Sequence, residues 1–324
     1  MVEATQDPSF GPLRQINTGV LDVGYVDAGA QGGRPVVLLH GWPYDIHSYA
    51  GVAPALAAAG YRVIVPYLRG YGTTRFLSSA TVRNGQQSAL GVDVIALLDA
   101  LGIESAVIGG FDWGARTANV VAALWPARCR AMVSVSGYLI GSPEVNKNPL
   151  PPEAELSWWY QYYFATPRGE AGYAKYRREF AELIWRTASP KWSFDDATFD
   201  RTAAAFDAPD HVAIVVHNYR WRLGLAPGEP QYDELEVQLA AAPSISVPTI
   251  TLEGDANGAP TRSRVRTPRS SRGSTRTEPS KEASGTTCPK RRRRRLSTPS
   301  SRSTRSLREE TSSGRCSQAP TRRP

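Results

Sequence analysis

The stretch VIGGFDWGARTANVVAALWP, residues 107–126, decides how this chain folds. Ala106–Gly110 reads as a short buried strand and Arg116–Leu124 as a helix. The junction Gly110-Phe111-Asp112-Trp113-Gly114 is a G-x-D-x-G turn, in which flanking glycines let the backbone bend sharply from strand into helix. Such a bend lifts the middle side chain above the sheet, beside the helix N-terminus, where a carboxylate gains from the helix dipole and from free amides. The plain alternative is that Asp112 caps the helix, a common role for aspartate at this kind of junction.

On either side of this stretch, short β-branched runs alternate with longer helical patterns. Strands are predicted at Val20–Asp27, Val36–His40, Arg62–Pro66 and Ala131–Ser136. Leu90, Val94, Leu97, Leu98 and Leu101 recur at spacings of three and four and so share a helical face that should cover the sheet. The alternation predicts an α/β fold: a mostly parallel sheet flanked by helices. His40-Gly41-Trp42-Pro43 follows one of the buried strands, which would bring the backbone N–H groups of Trp42 and Trp113 onto one oxygen. His40 then reads as a buried hydrogen-bonding residue, and Gly41, Pro43, Gly110 and Gly114 as the backbone support of the turn.

Residues 138–230 change character. Trp158, Trp159, Tyr160, Tyr162, Tyr163, Phe164, Trp185, Trp192, Tyr219 and Trp221 crowd there without a strand run, which predicts a helical cap inserted over the sheet. The β pattern resumes at Val247–Glu253 and ends in Gly254-Asp255. The predicted organisation is therefore a core from 1 to 137, a helical cap from 138 to 230, core again from 231 to 260, and a tail from 261 to 324.

The tail carries 19 Lys and Arg against four Asp and Glu, whereas the rest has 19 basic and 26 acidic residues. The net charge of +8 thus describes the tail alone. Rich in Arg, Ser, Thr and Pro and almost without apolar residues, it is expected to lack order beyond Pro260. The run Lys290–Arg295 offers a competing function, salt-dependent nucleic-acid binding, but Arg-rich sequence can also arise with no selected role. Cys129, Cys288 and Cys316 form no disulfide framework or metal-ligand spacing, and no cofactor motif or metal site is expected. Without a membrane-length apolar run or a signal-peptide pattern, the expectation is a soluble cytoplasmic protein.

A carboxylate nucleophile narrows the chemistry. Attack on a carbonyl would give a labile anhydride, whereas attack on sp³ carbon gives an ordinary ester, so the expected partners are a small apolar epoxide or a haloalkane, with water. Residues 34–137 resemble the α/β-hydrolase family through VVLLHGWPYDIHSY, GYRVIVPYLRGYGTTR and GGFDWGARTANVVAALWP. One departure is Tyr67, where such proteins commonly have Asp. The Asp-nucleophile members are the epoxide hydrolases and the haloalkane dehalogenases, and the cap discriminates them. Epoxide opening leaves an alkoxide that needs a proton, which two cap tyrosines supply; dehalogenation needs N–H donors to halide. Trp159–Phe164 and His217–Trp221 resemble the two tyrosine-bearing segments of epoxide hydrolases, which implies Tyr160 and Tyr219 as the donors. Trp113 as a halide donor keeps the dehalogenase as alternative, and a pocket that only binds an apolar ligand is a third reading. The resemblance further implies Asp255 as the acid that orients a general base.

That base, a histidine after the last strand, is missing. His40, His47, His211 and His217 all precede residue 220, and the last two read as surface or packing residues. Reading one base earlier, Thr261 onward can spell HAEPSAYAAKFTGKY, and Lys281–Arg293 can spell EGGIGHNLPQEAP, a Gly-His context of the expected kind. The tail therefore reads as a frameshift near Gly258 to Thr261. As written, the last strand, its helix and the base are absent, and turnover and solubility should both suffer.

Overall fold

The computed structural model describes residues 10–256 and 276–280. Nine strands form one sheet: β1 (Leu13–Asn17), β2 (Leu21–Ala28), β3 (Arg34–Leu39), β4 (Tyr61–Pro66), β5 (Arg75–Phe76), β6 (Ala106–Gly110), β7 (Cys129–Val135), β8 (Thr249–Gly254) and β9 (Arg276–Ser280). Their order is β1-β2-β4-β3-β6-β7-β8-β9, with β5 paired to β2. β1, β2 and β4 pair antiparallel, and from β4 onward every neighbour is parallel. Parallel strands need helical crossovers, which bury both faces of the sheet. Val36, Val37, Leu38 and Leu39 of β3 and Val63, Ile64 and Val65 of β4 are accordingly all buried.

The crossovers are α1 (Val52–Ala58), α2 (Gln87–Ala100) and α3 (Trp113–Leu124). Leu90, Val94, Leu97 and Leu98 of α2 are buried, as their spacing predicts, and α2 packs on α3. Fully burying such a side chain stabilises by roughly 1.5–3 kcal/mol. Between β7 and β8 lie α4 (Pro143–Asn146), α5 (Pro152–Ser157), α6 (Trp159–Ala165), α7 (Pro167–Lys175), α8 (Arg177–Ala188), α9 (Asp196–Ala203), α10 (His211–Arg222) and α11 (Asp233–Ala240). The first seven occupy the stretch predicted to be helical. Their aromatic side chains merge with the sheet's core: Phe164, Tyr173, Trp185 and Tyr219 are buried together with Trp42 and Trp113. No helix among the described residues is long and apolar enough to cross a membrane.

Tyr67, the departure noted in sequence, is buried, and its ring lies where a Cβ on Gly72 would come within 2.5 Å. The glycine makes room for the ring. Next to it, Arg69 is buried and forms a two-pronged pair with Asp93 of α2 at 2.6 and 2.7 Å, which ties the loop after β4 to that helix.

Three strands differ from expectation. β1 is half-exposed and polar, and β5 is two residues long, so neither carries an apolar run to read. The third difference is a correction. The sequence reading has order end at Pro260 with the last strand missing, yet the backbone of β9 lies parallel to β8, with Ile250 opposite Arg276 and Gly254 opposite Ser280. An open strand edge offers N–H and C=O groups that an extended segment can satisfy with its backbone, whatever its side chains. The remaining tail calls, including Cys288, Cys316 and Lys290–Arg295, lie outside the described residues.

Candidate active site

The G-x-D-x-G turn is tighter than the sequence suggests. α3 begins at Trp113, three residues before the predicted start, and Asp112 stands at its head with φ 51° and ψ −120°. That backbone is strained for a residue with a side chain and is found where the surroundings enforce it. Here the surroundings are glycines. A Cβ on Gly114 would lie 1.9 Å from the Leu39 carbonyl oxygen, and one on Gly110 would lie 2.4 Å from the Gly114 backbone. Only bare backbone allows β3, β6 and α3 to meet this closely.

The carboxylate of Asp112 makes no capping bond to its helix. It instead accepts the Trp42 backbone N–H on Oδ1 at 2.9 Å. The loop after β3 is pressed against it: a Cβ on Gly41 would meet the Asp112 Cβ at 2.4 Å and Oδ1 at 2.7 Å. Burial raises the pKa of this carboxyl above the usual aspartate value, against the opposing pull of Arg116, of the Trp42 and Trp113 amides, and of Arg222. The two amides predicted to converge thus both act on one carboxylate. Pro43 follows Trp42 through a cis peptide bond, and its carbonyl accepts the Trp185 indole N–H at 2.8 Å.

Tyr160 and Tyr219 come together against Trp42. Their ring centroids lie 5.4 Å apart, nearly perpendicular, and each packs on Trp42, at 4.9 and 5.5 Å respectively. Tyr219 also lies 5.9 Å from Trp113. Burial raises both phenol pKa values above the usual tyrosine range, and the Asp112 charge raises both further. Both phenols therefore stay protonated at neutral pH and available as donors. The Arg222 guanidinium sits 5.6 Å from the Tyr219 ring centroid and pulls both pKa values down.

Sequence reasoning missed a chain of hydrogen bonds behind Trp42. The Trp42 indole N–H donates to the Tyr173 hydroxyl at 2.8 Å, and that hydroxyl lies 2.8 Å from His211 Nε2. His211 Nδ1 is 2.9 Å from the Gly70 carbonyl, which can only accept. The direction is therefore fixed: Trp42 to Tyr173 to His211 to Gly70. Each of the three side chains is buried, and burial lowers the His211 pKa to about 3. His40 is equally structural, with Nε2 accepting the Leu68 N–H at 3.1 Å and Nδ1 facing the Gly41 carbonyl at 3.1 Å. His217 spans Gly85 N–H and the Pro227 carbonyl at 3.1 and 3.0 Å. His47 is held by Asp45 at 2.7 Å.

Asp255 stands apart from this assembly. It is exposed in the turn after β8 and has no hydrogen bond or ion pair among the described residues. What the structure brings together is Asp112, Trp42, Trp113, Tyr160 and Tyr219, with Arg222 beside them.

Residues 34–211 match the model of the alpha/beta hydrolase fold family, more than half of the chain. The chain belongs to that family. A crystal structure from Klebsiella pneumoniae, of a protein provisionally named an epoxide hydrolase, is 60% identical with a TM-score of 0.83, covering 84% of this chain and 90% of that one. Epoxide hydrolase B of Mycobacterium tuberculosis is 40% identical over 152 residues, which is 43% of this chain and 42% of that protein. The Caballeronia sordidicola epoxide hydrolase is 40% identical over 107 residues, 33% of this chain and 32% of that protein. The chain thus spans less than half the length of these curated relatives where it matches them. Within its family the chain is of the epoxide hydrolase type.

Proposed function

We propose that this chain opens epoxides through an ester formed on Asp112, and that Tyr160 and Tyr219 on a helical cap protonate the leaving oxygen. An Asp112 oxygen attacks a ring carbon, the carbon–oxygen bond of the epoxide breaks, and the alkoxide takes a proton from one phenol. The other carboxylate oxygen rests on the Trp42 and Trp113 amides, which later receive the oxyanion when water attacks the ester. The observation that carries this reading is the Asp112 carboxylate bonded to the amide of Trp42, 70 positions away, whose own ring carries the two protonated phenols. The epoxide hydrolase names of the relatives support the same substrate class.

The second half of the cycle needs a base to activate water. The four histidines are each engaged in the contacts described above, none with Asp112, and no histidine follows residue 217. As written, the chain forms the ester and releases it slowly. A frameshift near Gly258 to Thr261 accounts for the lost base, and it predicts codons in the gene that spell a Gly-His context one base earlier. Asp255 as the acid partner belongs to the same lost half.

Haloalkane dehalogenation remains the second reading, favoured by the buried Trp113 indole N–H beside Asp112 and Tyr219. The other nearby indole donor, that of Trp42, is committed to Tyr173. The test is intact-mass analysis after exposure to a small apolar epoxide and, separately, to an alkyl bromide. The expected result is one epoxide mass per chain, located on Asp112 by peptide mapping and absent from Asp112→Asn. A folded chain that takes up no epoxide sinks the proposal, and uptake of the alkyl group alone favours the second reading.

A further inference from the structure

Among the described residues the guanidinium of Arg222 forms no salt bridge, although its charge is felt by Asp112. Arg62, Arg69, Arg83, Arg128 and Arg220, among others, each pair with a carboxylate. Arg222 is half-buried at the end of α10, and its guanidinium lies over the face of Tyr219 at 5.6 Å from the ring centroid. Its backbone is fixed, because the Asn146 side-chain amide donates to the Arg222 carbonyl at 2.9 Å. Tyr219 and Arg222 are one helical turn apart, so they share a face of α10. A half-buried cation normally recruits an anion, since desolvation without a partner is unfavourable.

A second donor, the indole N–H of buried Trp113, lies against the same ring at 5.9 Å between centroids and acts on the Tyr219 phenol. Residues 1–260 carry more acidic than basic side chains, yet among the described residues no carboxylate forms a salt bridge with Arg222. A half-buried cation with no salt bridge, set over one proposed proton-donating phenol, indicates an acceptor brought by the ligand.

Resting on the epoxide reading, we infer that the substrate is an epoxide bearing a carboxylate close to the ring, and that Arg222 binds that carboxylate. Its charge orients the epoxide so that a ring carbon faces Asp112 while the ring oxygen faces Tyr219 and Tyr160. Arg222 is then the specificity-determining residue, and a neutral amide in place of the carboxylate loses the charge-assisted part of the contact. The reaction is the one already given: the Asp112 oxygen bonds to carbon, the epoxide carbon–oxygen bond breaks, and the phenol supplies the proton.

The experiment measures the rate of Asp112 alkylation in the full chain by intact mass, using 2,3-epoxypropanoate and 3,4-epoxybutanoate, each against its neutral amide. The carboxylate should react faster than its amide in at least one pair. Arg222→Gln should lower that carboxylate-to-amide ratio about 10- to 100-fold, the worth of a charge-assisted hydrogen bond. Arg222→Lys should restore part of it, which a role in folding alone would not produce. If amides and carboxylates react alike in the natural chain, or if the ratio survives in Arg222→Gln, the inference is overturned while the epoxide reading stands. If no epoxide of either kind alkylates Asp112, both fall together.

Discussion

Adding one methyl group at Gly41 tests the proposed site most directly. A Cβ there would lie 2.4 Å from the Asp112 Cβ, 2.7 Å from its Oδ1 and 2.9 Å from the Phe111 carbonyl oxygen. Carbon atoms in contact prefer about 3.5–4.0 Å, so the two chain segments must part by about 1 Å. Two of the three obstacles, the Asp112 Cβ and the Phe111 carbonyl oxygen, are fixed by the backbone and cannot swing away. The same displacement stretches the Trp42 N–H to Asp112 bond, now 2.9 Å, to a length at which it no longer counts as a hydrogen bond. A misplacement of the attacking carboxylate by about 1 Å costs about 10²-fold in rate, or about 2.7 kcal/mol at the transition state. Overpacking of the surrounding core adds about 1–3 kcal/mol against folding. Gly41→Ala should therefore alkylate Asp112 about 100-fold more slowly than the natural chain. Gly51→Ala, where a Cβ meets nothing within 4 Å, is the control and should be close to neutral. Both are read by intact mass at fixed epoxide concentration, beside a thermal melt. A Gly41→Ala protein that melts normally and reacts as fast as the natural chain refutes the reasoning.

Other consequences can be checked with the same assay. Tyr160→Phe and Tyr219→Phe should each slow alkylation by about 10²-fold, within the range of lost general-acid catalysis, and the double variant should lose nearly all reaction; unchanged rates in both single variants would remove the phenols from the mechanism. Because burial raises the Asp112 pKa, the nucleophile is ionised only above the usual carboxylate range, so the alkylation rate should rise with pH through a midpoint above about 4 and then level. A midpoint at or below that value contradicts the burial argument. Buried His40 has its pKa lowered to about 4 from 6.5, chiefly by burial. Between those values the unfolded chain binds more protons than the native one, so stability falls as pH drops through that window, by about 3 kcal/mol from this group, and does not fall further below it. Urea unfolding from pH 7 to pH 4 should show this slope, and His40→Gln should reduce it.

The parts of the fold that could be read from sequence were those governed by local rules. Buried strands announce themselves by β-branched runs, α2 by the three-and-four spacing of its leucines, and the turn at Asp112 by the two glycines that no other residue can replace. Asp112 itself was ambiguous, because a capping aspartate and a presented one have the same sequence. Only the contact with the Trp42 amide, 70 positions away, separates them. Tyr173, His211 and Arg222 were illegible for the same reason: their roles rest on partners at Trp42, Gly70 and Tyr219, which the packing of the helices supplies. Beside the ten aromatic positions that crowd the stretch from 138 to 230, nothing local singles out Tyr173. β9 was missed because its pairing is backbone to backbone and independent of an apolar pattern.

The chemistry divides along the chain. On the proposed mechanism, the groups that form the ester, namely the carboxylate, the two amides and the two phenols, lie between Trp42 and Tyr219 and are joined by contacts within the described residues. The proposed acid partner of a base that breaks the ester, Asp255, lies after β8, exposed and without a partner among the described residues, and no histidine follows it. Ester formation uses a nucleophile that is already ionised, whereas ester hydrolysis must generate one from water, so losing the base slows only the second step. A chain of this sequence should therefore take up one epoxide and hold it. If the purified chain, of verified tail sequence, instead turns over many equivalents of epoxide, a base must come from within residues 10–256, and the oriented Asp45–His47 pair becomes the first place to look.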